Sequence, residues 1–253
     1  MDEVMINYYE QPKLNNPVFI EGLPGVGNVG KLAAEHLLEE VGGVKFAEIY
    51  SRFFPPQVLV GDNGVVKLVN NELYYYKRDD ASKSDIIFLI GDYQGLSPEG
   101  QYELSYQMIQ VCKQFKVNRV YTLGGYGLGR LVETPRVLGA ATSDDLVSEM
   151  KKMGVMFPKG EPGSGIVGAS GLLLGLGKLE GIEGICFMGE TSGYFVDPKS
   201  AQVVLEILTR ILDIELDYTK LEDKAIQIDK IASQLQNMEL TGESKDEDLH
   251  YIG

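Results

Sequence analysis

A glycine-rich segment near the N-terminus carries the residues with the clearest potential for chemistry. Gly25, Gly27 and Gly30 fit the G-x-G-x-x-G pattern of dinucleotide-binding loops, and the segment that runs from Gly25 to Lys31 also fits G-x-x-x-x-G-K. In both patterns, backbone N–H groups at the start of a helix hold phosphate oxygens. The second pattern is incomplete, because Leu32 stands where a Ser or Thr hydroxyl must bind magnesium.

Two interpretations of this segment stay open. In the favoured one, the glycines let a strand that ends at Gly22 turn closely into a helix, and no ligand is needed. In the alternative, a cleft at the strand ends binds a nucleotide or nucleoside, as in an NAD-dependent enzyme. Asp92 and Glu190 each follow a strand-end glycine, and they could either hydrogen-bond a ribose or simply cap neighbouring backbone amides, which is the favoured role. The contacts of the alternative would be Gly25, Gly27, Asn28, Gly30, Lys31 and Glu190.

Other side chains that commonly carry out catalysis are few. The two histidines are His36, on the apolar side of a predicted helix, and His250, near the C-terminus. We expect the two cysteines, Cys112 and Cys186, to be buried and unpaired. The sequence contains neither a serine nucleophile motif nor a metal-binding pattern. It therefore predicts a protein with no catalytic site, metal or cofactor.

Composition limits the classes of partner. The chain has 253 residues and is 44% apolar, so it can bury the core of one large α/β domain or of two small ones. Its formal net charge of -14 argues against nucleic acids and anionic membranes as partners. The longest nearly apolar run, 168–177, is too short to span a bilayer, and the acidic N-terminus lacks a signal-peptide core. We therefore expect a cytoplasmic protein.

Predicted strands and helices, which must position these residues, alternate along the chain. Apolar strands near 18–20, 86–90, 119–123 and 184–188 are each followed by a loop and a helical pattern. This alternation predicts an α/β fold with a mainly parallel sheet and helices on both of its faces. Short β-branched and aromatic runs between 57 and 78, separated by Asn and Gly turn signals, predict a small antiparallel meander.

The C-terminal part differs from the α/β domain, which we place at residues 1–218. Residues 219–240 predict an amphipathic helix, whose apolar stripe would pack on the domain or self-associate. Its second half approximates a heptad, and the candidate oligomerisation residues are Ile228, Ile231, Leu235 and Met238. Residues 241–253 predict a flexible acidic tail.

This tail ends in apolar and aromatic residues beside a free carboxylate. A basic pocket on a partner would receive the carboxylate, and a groove would receive the tyrosine side chain. A solvated tail without a partner is the alternative. The candidate partner-binding residues are Leu249, His250, Tyr251, Ile252 and Gly253.

A series of short motifs follows one order along residues 17–212. They are the segment EGLPGVGNVG at 21–30, Gly91-Asp92, Gly124-Gly125-Tyr126, Thr134-Pro135-Arg136-Val137, the glycine cluster at 168–171, and Gly189-Glu190-Thr191 with Tyr194, Asp197 and Pro198. This order resembles the proteasome-assembly-chaperone family in its archaeal form.

The resemblance implies a nucleoside-phosphorylase-like α/β domain used without a catalytic site. Bacterial relatives of the family are labelled ligase-like, so the resemblance leaves a ligase-like enzyme open as part of the nucleotide alternative. It also implies homo-oligomers that bind free α subunits or the α-ring of the 20S proteasome. The C-terminus is similar to the hydrophobic-tyrosine-X ending of proteasome activators, except that Tyr251 is third from the end and not next to last.

Overall fold

The computed structural model describes residues 3–157 and 165–228. In chain order the strands are β1 (Val4–Tyr8), β2 (Val18–Gly22), β3 (Val44–Ser51), β4 (Val58–Val60), β5 (Val66–Leu68), β6 (Asn71–Tyr76), β7 (Ile86–Gly91), β8 (Arg119–Gly127), β9 (Val137–Ala141) and β10 (Glu183–Thr191). The helices are α1 (Val29–Val41), α2 (Pro98–Gln114), α3 (Asp144–Lys152), α4 (Ala169–Leu179) and α5 (Pro198–Leu212). A further helix, α6, begins at residue 219 and is described as far as residue 228.

Eight strands form one mixed sheet in the order β1-β3-β6-β7-β2-β8-β10-β9. The central strands β7, β2, β8 and β10 are parallel, whereas the other four pairings are antiparallel. The predicted α/β fold is confirmed, but the sheet is not mainly parallel. The reason is that β6 of the predicted meander joins the main sheet between β3 and β7, and that β1 and β9 add antiparallel edges. A likeness to nucleoside phosphorylases stays a prediction.

Side chains alternate between the two faces of the sheet, and helices cover both faces. In β7, Ile86 and Phe88 belong to the core beneath α1 and α5, whereas Ile87 and Leu89 belong to the core beneath α2 and α4. This alternation follows from the two-residue period of a strand. The two cores hold the parallel strands rigidly from both sides, so the loops at their ends have a fixed base.

Three helices begin at side-chain caps that the sequence signals. Ser97, Ser143 and Asp197 accept hydrogen bonds from the backbone N–H three residues further on, which satisfies a donor that has no partner inside the helix. Pro98 and Pro198 occupy the first position of α2 and α5, where a missing N–H does no harm.

The four parallel strands all end at one edge of the sheet, which we call the carboxyl edge. Gly22, Gly91, Gly127 and Thr191 are their last residues. Ser51, the last residue of β3, lies at the same edge, because Ile49 pairs with Asn71 and Asn71 pairs with Gly91. Open α/β sheets usually bind their ligands at this edge.

Within 3–157 and 165–228, no helix is long and apolar enough to cross a membrane.

Candidate functional site

The glycine-rich segment brings α1 against the ends of β8 and β10. A methyl group on Gly30 would overlap the carbonyl oxygen of Leu123, so only glycine lets the helix approach this closely. Gly27 has a φ of 62°, and a Cβ there would lie 2.9 Å from the hydroxyl of Thr191. Both positions are filled by the protein's own atoms. By contrast, a Cβ on Gly25 would have nothing within 4 Å. These contacts support the interpretation in which the glycines serve packing.

The two charged residues of the nucleotide alternative have partners within the protein. The Lys31 ammonium donates to the Gly91 carbonyl at 3.0 Å and lies 3.5 Å from Glu35. The Glu190 carboxylate accepts from the Arg136 guanidinium, with one contact at 2.8 Å to Nε, and this hydrogen bonding holds the pKa of Glu190 below its usual value. Lys31 therefore ties the start of α1 to the end of β7, and Glu190 ties the end of β10 to the residue before β9. Asn28 lies at the N-cap of α1, but its side chain makes no capping bond.

Asp92 behaves as expected of a capping residue. Its Oδ2 accepts from the backbone N–H of Asn70 at 3.3 Å, which links the end of β7 to the start of β6. His36 is a satisfied core residue, as expected: it is buried, its Nε2 lies 2.7 Å from the Asp217 carbonyl, and its ring stacks on Tyr218. The contact joins α1 to the segment that precedes α6.

An open cleft of about 620 Å³ lies at the carboxyl edge, on the face of the sheet that α4 covers. Its floor includes Gly124 and Met188, and one wall is the segment 165–168. Gln94 spans the cleft, since its Nε2 donates to the Pro24 carbonyl at 2.8 Å and its Oε1 accepts from Ala169 N–H at 3.0 Å. The lining contains glycine backbone, apolar side chains and neutral polar groups.

Beneath this cleft, Glu21 is fully buried at the end of β2. Its carboxylate accepts from Leu23 N–H at 3.0 Å and from the Ser170 hydroxyl at 2.9 Å. Burial raises the pKa of Glu21 to about 7, against an ordinary value of 4.5. Glu21, Gln94 and Ser170 were not predicted as site residues from the sequence. The available signal was an acid inside the otherwise apolar strand sequence VFIEG, which marks a carboxyl with internal partners.

The cysteines carry no reactive thiol. Cys112 and Cys186 are both buried and free, as expected from the sequence. Burial raises the pKa of the Cys186 thiol to about 12 and also raises that of Cys112. A thiol with so high a pKa stays protonated and is a poor nucleophile or metal ligand. The described residues also contain no group of three or more His, Cys, Asp and Glu side chains that could hold a metal ion.

The first turns of α6 pack on the α/β domain. Leu221 and Ala225, which begin the apolar stripe of this helix, are 1% and 6% exposed. Ile228 lines a groove with Phe195 and Leu131 of the same chain. The remaining predicted interaction residues lie outside the described residues, and their roles stay predictions. They are Ile231, Leu235, Met238, Leu249, His250, Tyr251, Ile252 and Gly253.

Comparison with known proteins extends over nearly the whole chain. The model of the PAC2 family matches residues 19–236. An uncharacterized protein of Methanocaldococcus jannaschii, MJ1210, is 41% identical over 247 residues, which are 95% of this chain and 93% of that protein.

Two solved structures from Pyrococcus furiosus are similar to this chain. PbaB, described as an archaeal proteasome activator, is 43% identical, with a TM-score of 0.89 over 93% of this chain and 100% of that chain. PbaA, described as an archaeal homolog of proteasome-assembly chaperone, is 28% identical in its monoclinic form, with a TM-score of 0.76 over 94% of each chain. These matches confirm the resemblance that the sequence motifs carry: the chain belongs to the PAC2 family.

Proposed function

We propose that this protein is a non-enzymatic, oligomeric chaperone or adaptor that binds the 20S proteasome, at free α subunits or at the assembled α-ring, through its C-terminal tail. The observation that carries the proposal is the similarity to PbaB, which is 43% identical over 93% of this chain and is described as a proteasome activator. PbaA, described as a homolog of an assembly chaperone, supports the same class of partner.

The contacts at the carboxyl edge support a scaffold more than an enzyme. Gly27 and Gly30 pack on β10 and β8, Lys31 binds a backbone carbonyl, and Glu190 binds Arg136. Four of the residues that would hold a phosphate or a ribose therefore have structural contacts that account for them, whereas Gly25 and the Asn28 side chain have none. The named relatives, a proteasome activator and a chaperone homolog, point in the same direction.

The tail supplies the proposed binding mechanism. Its 13 residues from Thr241 would reach about 40 Å when extended, so the tip can meet a pocket well away from the α/β domain. A short peptide with one tyrosine and one carboxylate binds weakly. Several tails presented by one oligomer bind together, and the effective concentration of the second tail raises the overall affinity without new contacts.

The test is a pull-down of purified archaeal 20S particles by the N-terminally tagged chain, because a C-terminal tag would block the terminal carboxylate. Deletion of residues 241–253 should abolish binding, and Tyr251→Ala should weaken it strongly. The matched control is Tyr9→Ala, which removes an exposed tyrosine at the end of β1 and should bind as the natural chain does. Circular dichroism and sedimentation should show an unchanged fold and oligomer. Unchanged binding after the deletion would refute docking by the tail.

A further inference from the structure

A two-stranded hairpin stands apart from the main sheet, at the carboxyl edge between β3 and β6. Its cross-strand pairs are Val58 with Leu68, Leu59 with Lys67, and Val60 with Val66. Its turn is closed by a hydrogen bond from Gly61 N–H to the Val65 carbonyl at 3.0 Å. Among the residues described, β4 and β5 pair only with each other. A two-stranded hairpin alone is at best marginally stable in water, so this element needs a covering layer.

One face of this hairpin is entirely apolar. Directly paired residues of an antiparallel hairpin project to the same side, so Val58, Val60, Val66 and Leu68 share one face, while Leu59 and Lys67 share the other. The four side chains are 46%, 68%, 61% and 55% exposed. Together they present on the order of 300–400 Å² of apolar surface, which is the size of the largest apolar patch on a typical monomer, and such patches are often functional. We call these four residues the hairpin face.

The apolar surface continues from the hairpin face onto the α/β domain. An open groove of about 530 Å³ separates the hairpin from the end of β3. Val58 and Leu68 line one side of this groove, and Tyr50, Phe54 and Pro55 line the other. A layer that covers the hairpin face would therefore also meet the rim of this groove.

We propose that the hairpin face packs against the hairpin face of a second copy of this chain. Two two-stranded layers would then stack about 10 Å apart, as sheets do in β-sandwiches, and eight valine and leucine side chains would form a small shared core. The contact is isologous, since each copy supplies the same surface that it receives. It also covers the marginally stable hairpin of both copies at once.

The net charge of the chain favours a second copy as the partner that covers the hairpin face. Each chain carries a net charge of -14, so copies repel each other over most of their surface and can meet closely only where charge is absent. The hairpin face has no charged side chain, and Lys67 on the opposite face pairs with Glu72 at 3.3 Å. A basic partner, which the acidic chain attracts elsewhere, would find no carboxylate on this face.

The surface area buried between two hairpin faces indicates how strong their contact is. Two hairpin faces remove on the order of 700 Å² from water, about half of a standard stable interface. The groove beside Tyr50 and Phe54 adds to this area. We therefore expect an association that is reversible and depends on concentration, and that acts alongside other contacts of the oligomer. It does not involve α6, whose Leu221 and Ala225 are buried in their own domain.

Charge-pair variants test the proposal by sedimentation velocity over a hundredfold range of concentration. The double variants V60E/V66E and V60K/V66K should each shift the association midpoint to at least tenfold higher concentration, because like charges face each other. An equimolar mixture of the two should restore association, because opposite charges then meet. Leu179→Glu is the matched control: Leu179 is 83% exposed at the end of α4, at the opposite edge of the sheet, and this variant should associate as the natural chain does. Circular dichroism confirms that each variant is folded.

The outcomes are decisive in either direction. The proposal is overturned if V60E/V66E associates at the same concentration as the natural chain. It is also overturned if the natural chain stays monomeric over the whole concentration range. If both double variants are weakened but their mixture is not restored, the face meets a different surface, and face-to-face packing is overturned. The chain that lacks residues 241–253 should associate normally, so failure of this contact is distinguishable from failure of tail docking.

A disulfide trap gives a second readout. Both natural cysteines are buried, so Val60→Cys introduces the one accessible thiol of the chain. Under mild oxidation, the proposal predicts covalent dimers of this variant at low protein concentration, and Leu179→Cys should give at least tenfold less. Equal yields from the two variants would overturn it.

Discussion

The glycine-rich segment and the β4–β5 hairpin lie at the same edge of the sheet and are packed in opposite ways. At Gly30 there is no room for a single methyl group, because the Leu123 carbonyl fills the space. At Val60 and Val66, more than half of each side chain is in solvent. The first segment is packed within the fold itself, whereas the second presents a surface that the residues described in the structure leave uncovered. The sequence motifs identified the glycine-rich segment as a candidate site, whereas the hairpin face is recognised as exposed only in the folded structure.

The largest effect is expected at Gly30. Alanine is a better helix former than glycine by about 1 kcal/mol, so propensity alone predicts that Gly30→Ala stabilises α1. The structure predicts the opposite, because the new methyl group would overlap the Leu123 carbonyl and force α1 away from β8. We expect a loss of about 3 kcal/mol or more in the free energy of unfolding, measured by denaturant titration.

Gly25→Ala is the matched control for this variant. Gly25 lies in the same segment, has an extended backbone conformation and has open space where its Cβ would stand. Its substitution should change stability by less than about 0.5 kcal/mol. If Gly25→Ala is the more damaging of the two, the segment is not held by close packing of α1.

The next effect concerns Glu21 and depends on pH. Its pKa is about 7 in the folded protein and 4.5 in an ordinary environment, so between these values the folded state binds more protons than the unfolded state. The contribution of this group is therefore fully present below pH 4.5, is lost as pH rises towards 7, and stays lost above that. The loss amounts to about 3 kcal/mol.

Glu21→Gln removes this titration while its amide keeps hydrogen-bonding capacity towards Leu23 and Ser170. The difference in unfolding free energy between the variant and the natural chain should change in favour of the variant between pH 4.5 and pH 7.5. Ser170→Ala, which keeps the carboxyl, serves as the comparison and should retain most of the pH dependence. A constant difference between Glu21→Gln and the natural chain across this range would show that the buried carboxyl does not titrate there.

The sequence predicted the parts of the molecule that follow from local pattern. Apolar runs such as 86–90 predicted the central strands, and the helical patterns that follow them predicted the helices that cover the sheet. The pairing of β6 with β3 and β7 was missed, because strand direction depends on which distant strand is met. Glu21 was missed because a strand position does not reveal the partner that Ser170 supplies from 149 residues away.

The exposure of the hairpin residues was also not predictable from the sequence. Val58, Val60 and Val66 read as ordinary strand residues, and their β-branched type correctly placed them in strands. Whether such residues face a core or solvent depends on what packs over them, which a single sequence does not specify. Their exposure becomes visible only in the folded structure, where no layer formed by residues 3–157 or 165–228 covers the hairpin face.

The smallest effect is expected within the hairpin, and it sharpens the contrast with the sheet. Val66→Thr replaces a methyl group by a hydroxyl at a residue that is 61% exposed in the single chain, so in the unassociated protein the hydroxyl keeps its water and the unfolding free energy should change by less than about 0.5 kcal/mol. The same substitution at Val120 of β8, which is 1% exposed, buries the hydroxyl among apolar groups and should cost about 1–3 kcal/mol. Both are strand positions, so β propensity cancels in the comparison.

Denaturant titrations at two protein concentrations tenfold apart measure the effects and separate folding from association. A cost at Val66 that equals the cost at Val120 at both concentrations would mean that the hairpin face is covered within the single chain, and the contrast between the two segments would be wrong.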